Sequence, residues 1–344
     1  MRTIGTSVYG LVCPIFKEGD DLAQIVSDTL LNSGLEIDDK DVLGITESIV
    51  ARTEGNYVTV DEVAESVKKV FNNPKDILVF NPIYSRNRFA MILKGIARAV
   101  TGTVYIRMPN IDEVGNVLQN HPFTGLNYDE YYKSIVEAEG KECYIVYQNV
   151  SVCNVDAVID CQIHRNTFDI TLKDICSDKC EYGLYGSNKA TEEKLKLFPS
   201  YSSAKKLIDC IQKTIYEKTG KIIEVMVYGD GCFKDPVGGI WELADPVVSP
   251  AYTDGLKGTP NELKLKYLAD NDYKDLSGDD LTNTIKQSIK EKDKNLVGNM
   301  VSQGTTPRRL TDLLGSLMDL TSGSGDKGTP VVYVKGYFDN LSTY

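Results

Sequence analysis

Between Val225 and Asp245 the chain reads VMVYGDGCFKDPVGGIWELAD, with polar residues of the kinds that hold a metal ion or a phosphate. A β-rich run, Ile222 to Tyr228, ends in Gly229-Asp230-Gly231, and Asp235, the Gly238-Gly239 pair and Glu242 follow closely. A carboxylate at a strand end, with glycine backbone N–H groups beside it, suits a hard cation carrying a phosphate. The same residues also suit a plain acidic turn after a core strand. A second group, Cys153, Cys161, His164, Cys176 and Cys180, contains Cys-x3-Cys and Cys-x2-His spacings that zinc accepts. Cys153 and Cys161 sit in apolar, strand-like runs and no second paired knuckle follows, so buried thiols are the expectation. The third group is basic. Arg86, Arg88, Lys94 and Arg98 form an island that is either the solvated face of a helix or a clamp for phosphate or polycarboxylate. The chain has two histidines, His121 before Pro122 and His164, and neither completes a Ser-His-Asp or Cys-His arrangement.

Regular elements must position these groups. After a short strand-like start, broken at Gly10 and Pro14, Asp20 or Asp21 caps a helix with Leu22, Ile25, Val26, Thr29 and Leu30 on one face, closed by Gly34. Val42 to Ile45 reads as a strand. Val60, Val63, Ala64, Val67 and Val70 share a helix face, with acids in the first turn and lysines in the last, as the helix dipole favours. Strand-like runs recur at Tyr144 to Val150 and Val155 to Ile163. The segment from Leu184 to Lys206 is polar with a proline break and reads as a connecting loop. Leu207, Ile208, Ile211 and Ile215 then mark a helix closed by Gly220, and the strand that reaches Asp230 follows. Residues 271–310 are charged and expected to be helical in part. A Leu-rich helix from Leu310 to Leu320 and a strand from Pro330 to Lys335 flank the Gly/Ser loop of Ser322, Gly323, Ser324, Gly325, Asp326 and Lys327. Alternating helix and strand signals predict an α+β or α/β chain with mixed sheets.

A formal net charge of −11 excludes a broad nucleic-acid or anionic-membrane surface, so an acidic ligand needs a local basic pocket. No apolar run reaches membrane-span length, and the N-terminus lacks a signal peptide's apolar core and cleavage site, so a cytoplasmic protein is the expectation. Eight cysteines without a secretion signal read as mostly reduced thiols.

The run PIFKEGDDLAQIVSDTLLNSGLEIDDKDVLGITESIVARTEGNYV, from Pro14 to Val58, resembles the opening of the coenzyme F420 (deazaflavin) glutamate ligases. The helix, Lys-Thr-Gly turn and strand that lead to Asp230 resemble a later segment of that family, as do the Gly-x-x-Gly-x-Pro turn at Gly255 to Pro260 and the terminal strand PVVYVKG. The resemblance implies an α+β fold of that family over 1–117 and over 201–344, the latter with a polar helical insertion at about 271–310; residues 118–200, which the resemblance does not cover, read as a strand-rich insertion expected to form a substrate-side lobe. The resemblance implies a C–N ligase that uses GTP or ATP to activate a small carboxylate acceptor as an acyl phosphate and joins L-glutamate, or a similar amine, to it. Carried over by position, nucleotide contacts fall on Leu11, Val12, Cys13, Pro14, Thr46, Glu47, Ser48 and Arg52, and on the loop from Ser322 to Lys327. Metal contacts for Mg2+ or Mn2+, with K+ as a further candidate, fall on Asp112 and Asp230, which are also the catalytic candidates, with Asn110, Glu113 and Asn116 near the first. Gly231 stands where the family places a threonine, so Asp235 or Glu242 is the candidate replacement ligand. Glu47 interrupts the family's Thr-Ser-Lys run, and Lys234 departs from the family's Gly-Arg-Pro. These departures support a second reading, a ligand-binding protein on the ligase scaffold that no longer turns over. A zinc-stabilised structural protein is a third. The resemblance also implies a homodimer.

Overall fold

The computed structural model describes residues 4–80, 86–108, 120, 124–147, 155–161, 170–185, 187–230, 233–235, 239–241, 247–258, 263–291, 309–323 and 327–343. Strand β1 (Ser7–Leu11) contains Gly10 rather than ending there, because Gly10 pairs opposite Val332 while Thr329 packs where a side chain would point. Asp21 starts α1 (Leu22–Leu31) by accepting a hydrogen bond from the Gln24 N–H at 3.1 Å, which satisfies a donor the helix leaves open. Strand β2 (Val42–Thr46) runs directly into α2 (Glu47–Thr53). After β3 (Tyr57–Thr59), α3 (Val60–Val70) opens with a capping box: the Thr59 hydroxyl accepts from the Glu62 N–H at 3.1 Å, and the Glu62 carboxylate accepts from the Thr59 N–H at 2.7 Å. Val60, Val63, Ala64 and Val67 form the buried face that their spacing predicts, with Val70 half-buried against the same core.

Strands β4 (Ile77–Phe80), β5 (Thr103–Arg107), β6 (Glu142–Val146) and β7 (Ala157–Asp160) alternate with α4 (Arg86–Ala99) and α5 (Tyr128–Ala138). They form a four-stranded parallel sheet in the order β6-β5-β4-β7. The Leu184 to Lys206 stretch is not a loop. It folds as a hairpin, β8 (Asn188–Thr191) and β9 (Lys194–Lys196), and then enters α6 (Tyr201–Thr219). The reason is that β8 is a solvated edge strand, so its polar residues show no apolar alternation; in β9 only Leu195 reaches the core. The hairpin extends β3 into a sheet ordered β3-β9-β8. Helix α6 ends at Gly220 in the left-handed conformation, φ 72°, where a glycine pays no Cβ penalty.

The rest of the chain supplies β10 (Glu224–Asp230), a small hairpin of β11 (Phe233–Asp235) and β12 (Gly239–Trp241), β13 (Val247–Tyr252), the short α7 (Leu265–Tyr267), α8 (Gly278–Glu291) within the polar 271–310 segment, α9 (Leu310–Ser322) and β14 (Val331–Lys335). The five-stranded sheet runs β1-β14-β2-β10-β13, with β2 and β10 parallel and the other pairs antiparallel. Alternate residues face opposite sides. Leu43, Ile45, Val225 and Val227 pack toward α1 and α6, while Val42, Met226, Tyr228 and Val332 pack toward Leu314 and Met318 of α9. A further core lies between the parallel sheet and α3, α4 and α5. The mixed α+β architecture anticipated from the sequence is the one observed. Cys161, Cys176 and Cys180 are buried among these apolar side chains, whereas Cys153 and His164 lie outside the described residues. Among the described residues no helix is long and apolar enough to cross a membrane.

Candidate active site

Register in the five-stranded sheet brings four chain segments to one edge. Thr46 at the end of β2 lies beside Tyr228 in the parallel β10, and the Thr46 N–H donates to the Pro330 carbonyl just before β14 at 3.0 Å. Leu11 at the end of β1 pairs with Val331, and two residues later the Cys13 N–H donates to the Gly328 carbonyl at 2.8 Å. The end of α9 joins them through the Thr329 hydroxyl, which donates to the Ser322 carbonyl at 2.8 Å. From the other side come the first turn of α4, with Asn87 and Arg88, and the β8–β9 hairpin, with Asn188, Lys189 and Lys196. Together they enclose a cavity of about 710 Å³.

The polar groups of this cavity are held from behind. Glu47, at the start of α2, is 4% exposed, and its Oε1 accepts a hydrogen bond from the Asn188 amide at 3.1 Å. The next residue, Ser48, accepts a hydrogen bond from Lys196 Nζ. Arg88 is 3% exposed and donates through Nη1 to the carbonyls of Tyr185 (3.2 Å) and Ser187 (3.4 Å). Arg52 is exposed at the rim, and Lys189 pairs with Glu192 at 2.5 Å. Tyr228 is fully buried with the Ser322 hydroxyl alongside; Ser322 itself donates to the Asp319 carbonyl at 2.9 Å, and the Tyr228 hydroxyl makes no hydrogen bond of ordinary geometry. Burial raises the Tyr228 phenol well above the usual tyrosine value, so it remains a neutral donor. Behind Tyr228, Gly229 lies so close to Glu47 that any Cβ there would overlap the Glu47 side chain. Arg52, Arg88, Lys189 and Lys196 thus gather around one cavity of an acidic protein, which equips it for a multiply charged oxyanion.

Of the positions expected to contact nucleotide, Cys13, Pro14, Thr46, Glu47, Ser48, Arg52, Ser322 and Gly323 line this cavity. Leu11 is a core residue, and Val12, 73% exposed, faces with it a separate shallow cleft against α1. Lys327 lays its side chain over Gly323 without lining the cavity. Asp230 is the last residue of β10, one beyond Gly229, and Asp235 is the last residue of β11. Asp112, Gly231, Ser324, Gly325 and Asp326 lie outside the described residues, as do Asn110, Glu113, Asn116, His121 and Glu242. The basic island divides: Arg88 reaches the cavity, whereas Lys94 and Arg98 are engaged by Glu139 and Glu193, and Arg98 also by Asp61. Sequence reasoning missed Asn188, Lys189, Lys196, Tyr228 and Asp319. The one available signal was Leu195 alternating with Lys194 and Lys196.

Among the described residues no three His, Cys, Asp or Glu side chains gather as a metal site. The cavity's carboxylates, Glu47 and Asp319, lie among hydroxyl and carbonyl oxygens, a donor set suited to a hard cation rather than to zinc. Cys13 contributes a half-buried thiol that burial pushes up to about 11, opposed by a hydrogen bond from Thr29. The thiolate is the reactive form, so iodoacetamide at pH 7.5 is expected to label Cys13 about tenfold or more slowly than the exposed Cys210. Peptide mass spectrometry checks this, and equal rates would mean that the Cys13 wall is open to solvent.

The profile of the family described as F420-0:gamma-glutamyl ligase matches residues 10–336. The chain belongs to that family, as the motif at Pro14 to Val58 anticipates, and the match runs on through residues 118–200. A protein described as coenzyme F420:L-glutamate ligase from Methanothermobacter thermautotrophicus is 33% identical over 64 residues, 18% of this chain. That alignment spans 25% of the relative's own length.

Proposed function

We propose that the chain is a nucleotide- and divalent-metal-dependent γ-glutamyl ligase, with the cavity between the β2/β10 strand ends and the β8–β9 hairpin as its active site. The observation that supports this best is the collection of Arg52, Arg88, Lys189 and Lys196 around one concave site in a protein of net charge −11. GTP or ATP supplies the phosphoryl group. An oxygen of the acceptor carboxylate attacks the γ-phosphorus, the bond to the β-phosphate oxygen breaks, and the nucleoside diphosphate leaves. The neutral amine of L-glutamate then attacks the acyl carbon, inorganic phosphate departs with the C–O bonding pair, and the nitrogen loses its extra proton to solvent. Cations and backbone N–H groups arranged in advance suit such chemistry, because phosphoryl transfer depends mostly on positioning and charge stabilisation.

Within this reading, the turn of Thr46, Glu47 and Ser48 and the loop from Ser322 to Pro330 hold the phosphates, and Arg88 balances the charge that builds on the departing group. Mg2+ or Mn2+ belongs with Asp230 and Asp112, with Glu47 and Asp319 as oxygen donors on the cavity wall; when bound it neutralises the phosphoryl oxygens. A further K+ and a homodimeric, cytoplasmic protein go with this reading. The acceptor is a small carboxylate of the F420-0 or folate kind.

Phosphate release provides the test, measured with ATP or GTP, Mg2+ or Mn2+, L-glutamate and each candidate acceptor. The expected result is glutamate- and acceptor-dependent release that Asp230→Asn lowers by about a thousandfold, the scale seen when charge stabilisation is removed from a transition state. Nucleotide binding without turnover under every combination would instead favour the binding-protein reading, to which the buried carboxylate of Glu47 on the cavity wall already lends support.

A further inference from the structure

We infer that Lys196, delivered by the β8–β9 hairpin, is the cation that grips an oxyanion of the substrate, a phosphate or a carboxylate group, in the cavity. Asn188 and Lys196 are direct register partners across the hairpin, so their side chains leave the same face. They meet consecutive residues of α2: Asn188 donates to Glu47 at 3.1 Å, and Lys196 donates to Ser48. A single rigid element therefore sets both the carboxylate and the ammonium group of this wall. The hairpin is fixed at both ends. Tyr57 of β3 pairs with Lys196, while Glu193 at the tip is bound by Arg98 at 2.9 Å and by Lys94. A neutral hydroxyl satisfies only one of the three protons on an ammonium group, which leaves Lys196 able to meet a second, charged acceptor from the cavity without moving.

The inference rests on the reading of the cavity as the substrate site, but it is tested without turnover. Isothermal calorimetry on the full chain would compare wild type with Lys196→Met, Lys196→Arg and Lys213→Met. The last removes the same charge from the exposed surface of α6, where Lys213 pairs with Glu217 at 3.7 Å. Inorganic tripolyphosphate is the phosphate probe, and γ-glutamylglutamate is the carboxylate probe. Lys196→Met is expected to weaken one probe by about tenfold or more, the scale of one charge-assisted hydrogen bond. Lys196→Arg should stay within about threefold of wild type and Lys213→Met should bind as wild type does; the probe that weakens identifies the anion. Unchanged binding in Lys196→Met overturns the inference, as does an equal loss in Lys213→Met, or a wild type that binds neither probe. A loss shared by Lys196→Met and Lys196→Arg together with a lowered melting temperature also overturns it, because the role would then be structural. Turnover with unaltered binding in Lys196→Met leaves the ligase reading standing without this inference. Lys196-dependent anion binding with no turnover does the reverse.

Discussion

Replacing Gly229 by alanine is expected to lower kcat/KM for glutamate-dependent phosphate release by about a hundredfold, the scale that follows from roughly 1 Å of misplacement in an active site. The new Cβ would fall on the Cγ of Glu47, with the Glu47 Cβ and Cδ also within 3.1 Å. Those atoms belong to a buried stem and not to a free tip, since Glu47 is 4% exposed and tethered to Asn188. Relief requires either that the Glu47 carboxylate swing into the cavity or that β10 separate from the start of α2. Both movements disturb the wall that Lys196 and Ser48 complete. Overpacking of this kind costs about 1–3 kcal/mol, so the variant should still fold. Shortening the neighbour in a Gly229→Ala, Glu47→Ala double variant removes the overlap with Cγ and leaves only a tight Cβ contact of 3.0 Å, so it should restore part of the melting temperature, which a double-mutant cycle would register as a favourable coupling. Wild-type activity in the single variant would show that the close approach of β10 to α2 has no functional weight.

The largest effect on stability is expected from Asp41→Asn, a loss of about 3 kcal/mol, the lower end of the range for breaking a buried charged network. Asp41 is 2% exposed and immediately precedes β2. Its carboxylate accepts hydrogen bonds from the Gly336 N–H at 2.8 Å, the Asp38 N–H at 3.0 Å and the Tyr333 hydroxyl at 2.5 Å, with Lys335 Nζ at 3.8 Å. Asparagine would bring N–H groups into a nest of donors and leave Lys335 with Asp38 as its remaining acid. Tyr333→Phe removes one hydrogen bond without creating a clash and should cost about 1 kcal/mol. Denaturant titration measures both, and an unchanged midpoint for Asp41→Asn would refute the network's importance. Asp41 lies at the opposite end of β2 from Thr46, so activity per folded molecule should be preserved, in contrast to Gly229→Ala.

The sequence made α1, α3 and α6 legible because local chemistry specifies them: an aspartate cap, an apolar stripe of valines with acids in the first turn, and glycine at a left-handed terminus. The turn at Thr46 to Ser48 was legible through the family resemblance of the contiguous run from Pro14 to Val58. The opposing wall was not. Lys196 earns its place through a register shared by β3, β9 and β8, and registers between distant segments leave little trace in a polar edge strand. Tyr228 presents the same difficulty in apolar form: within a core strand it looks like packing, and only its position beside Thr46 puts it on the cavity wall. Arg88 and Arg98 look equivalent in the chain, yet one reaches the cavity and the other meets Glu139, because ten residues of helix separate a strand's end from its far side.

The placement of β14 between β1 and β2 has a consequence for biosynthesis. Residues 7–11 are made long before their partners in the sheet, residues 331–335. During translation the first strand therefore has no native edge to join, and it waits beside the apolar surface of Val12 and Ile15, 73% and 81% exposed even in the finished fold. Pairing across that span is entropically late, which leaves an unpaired strand edge and apolar side chains exposed until β14 arrives. The cavity inherits the same schedule, since the Cys13 N–H finds the Gly328 carbonyl only once that distant segment has been made. Ligand can therefore act as a folding partner only once β14 has joined the sheet, by capturing the closed sheet rather than guiding its assembly.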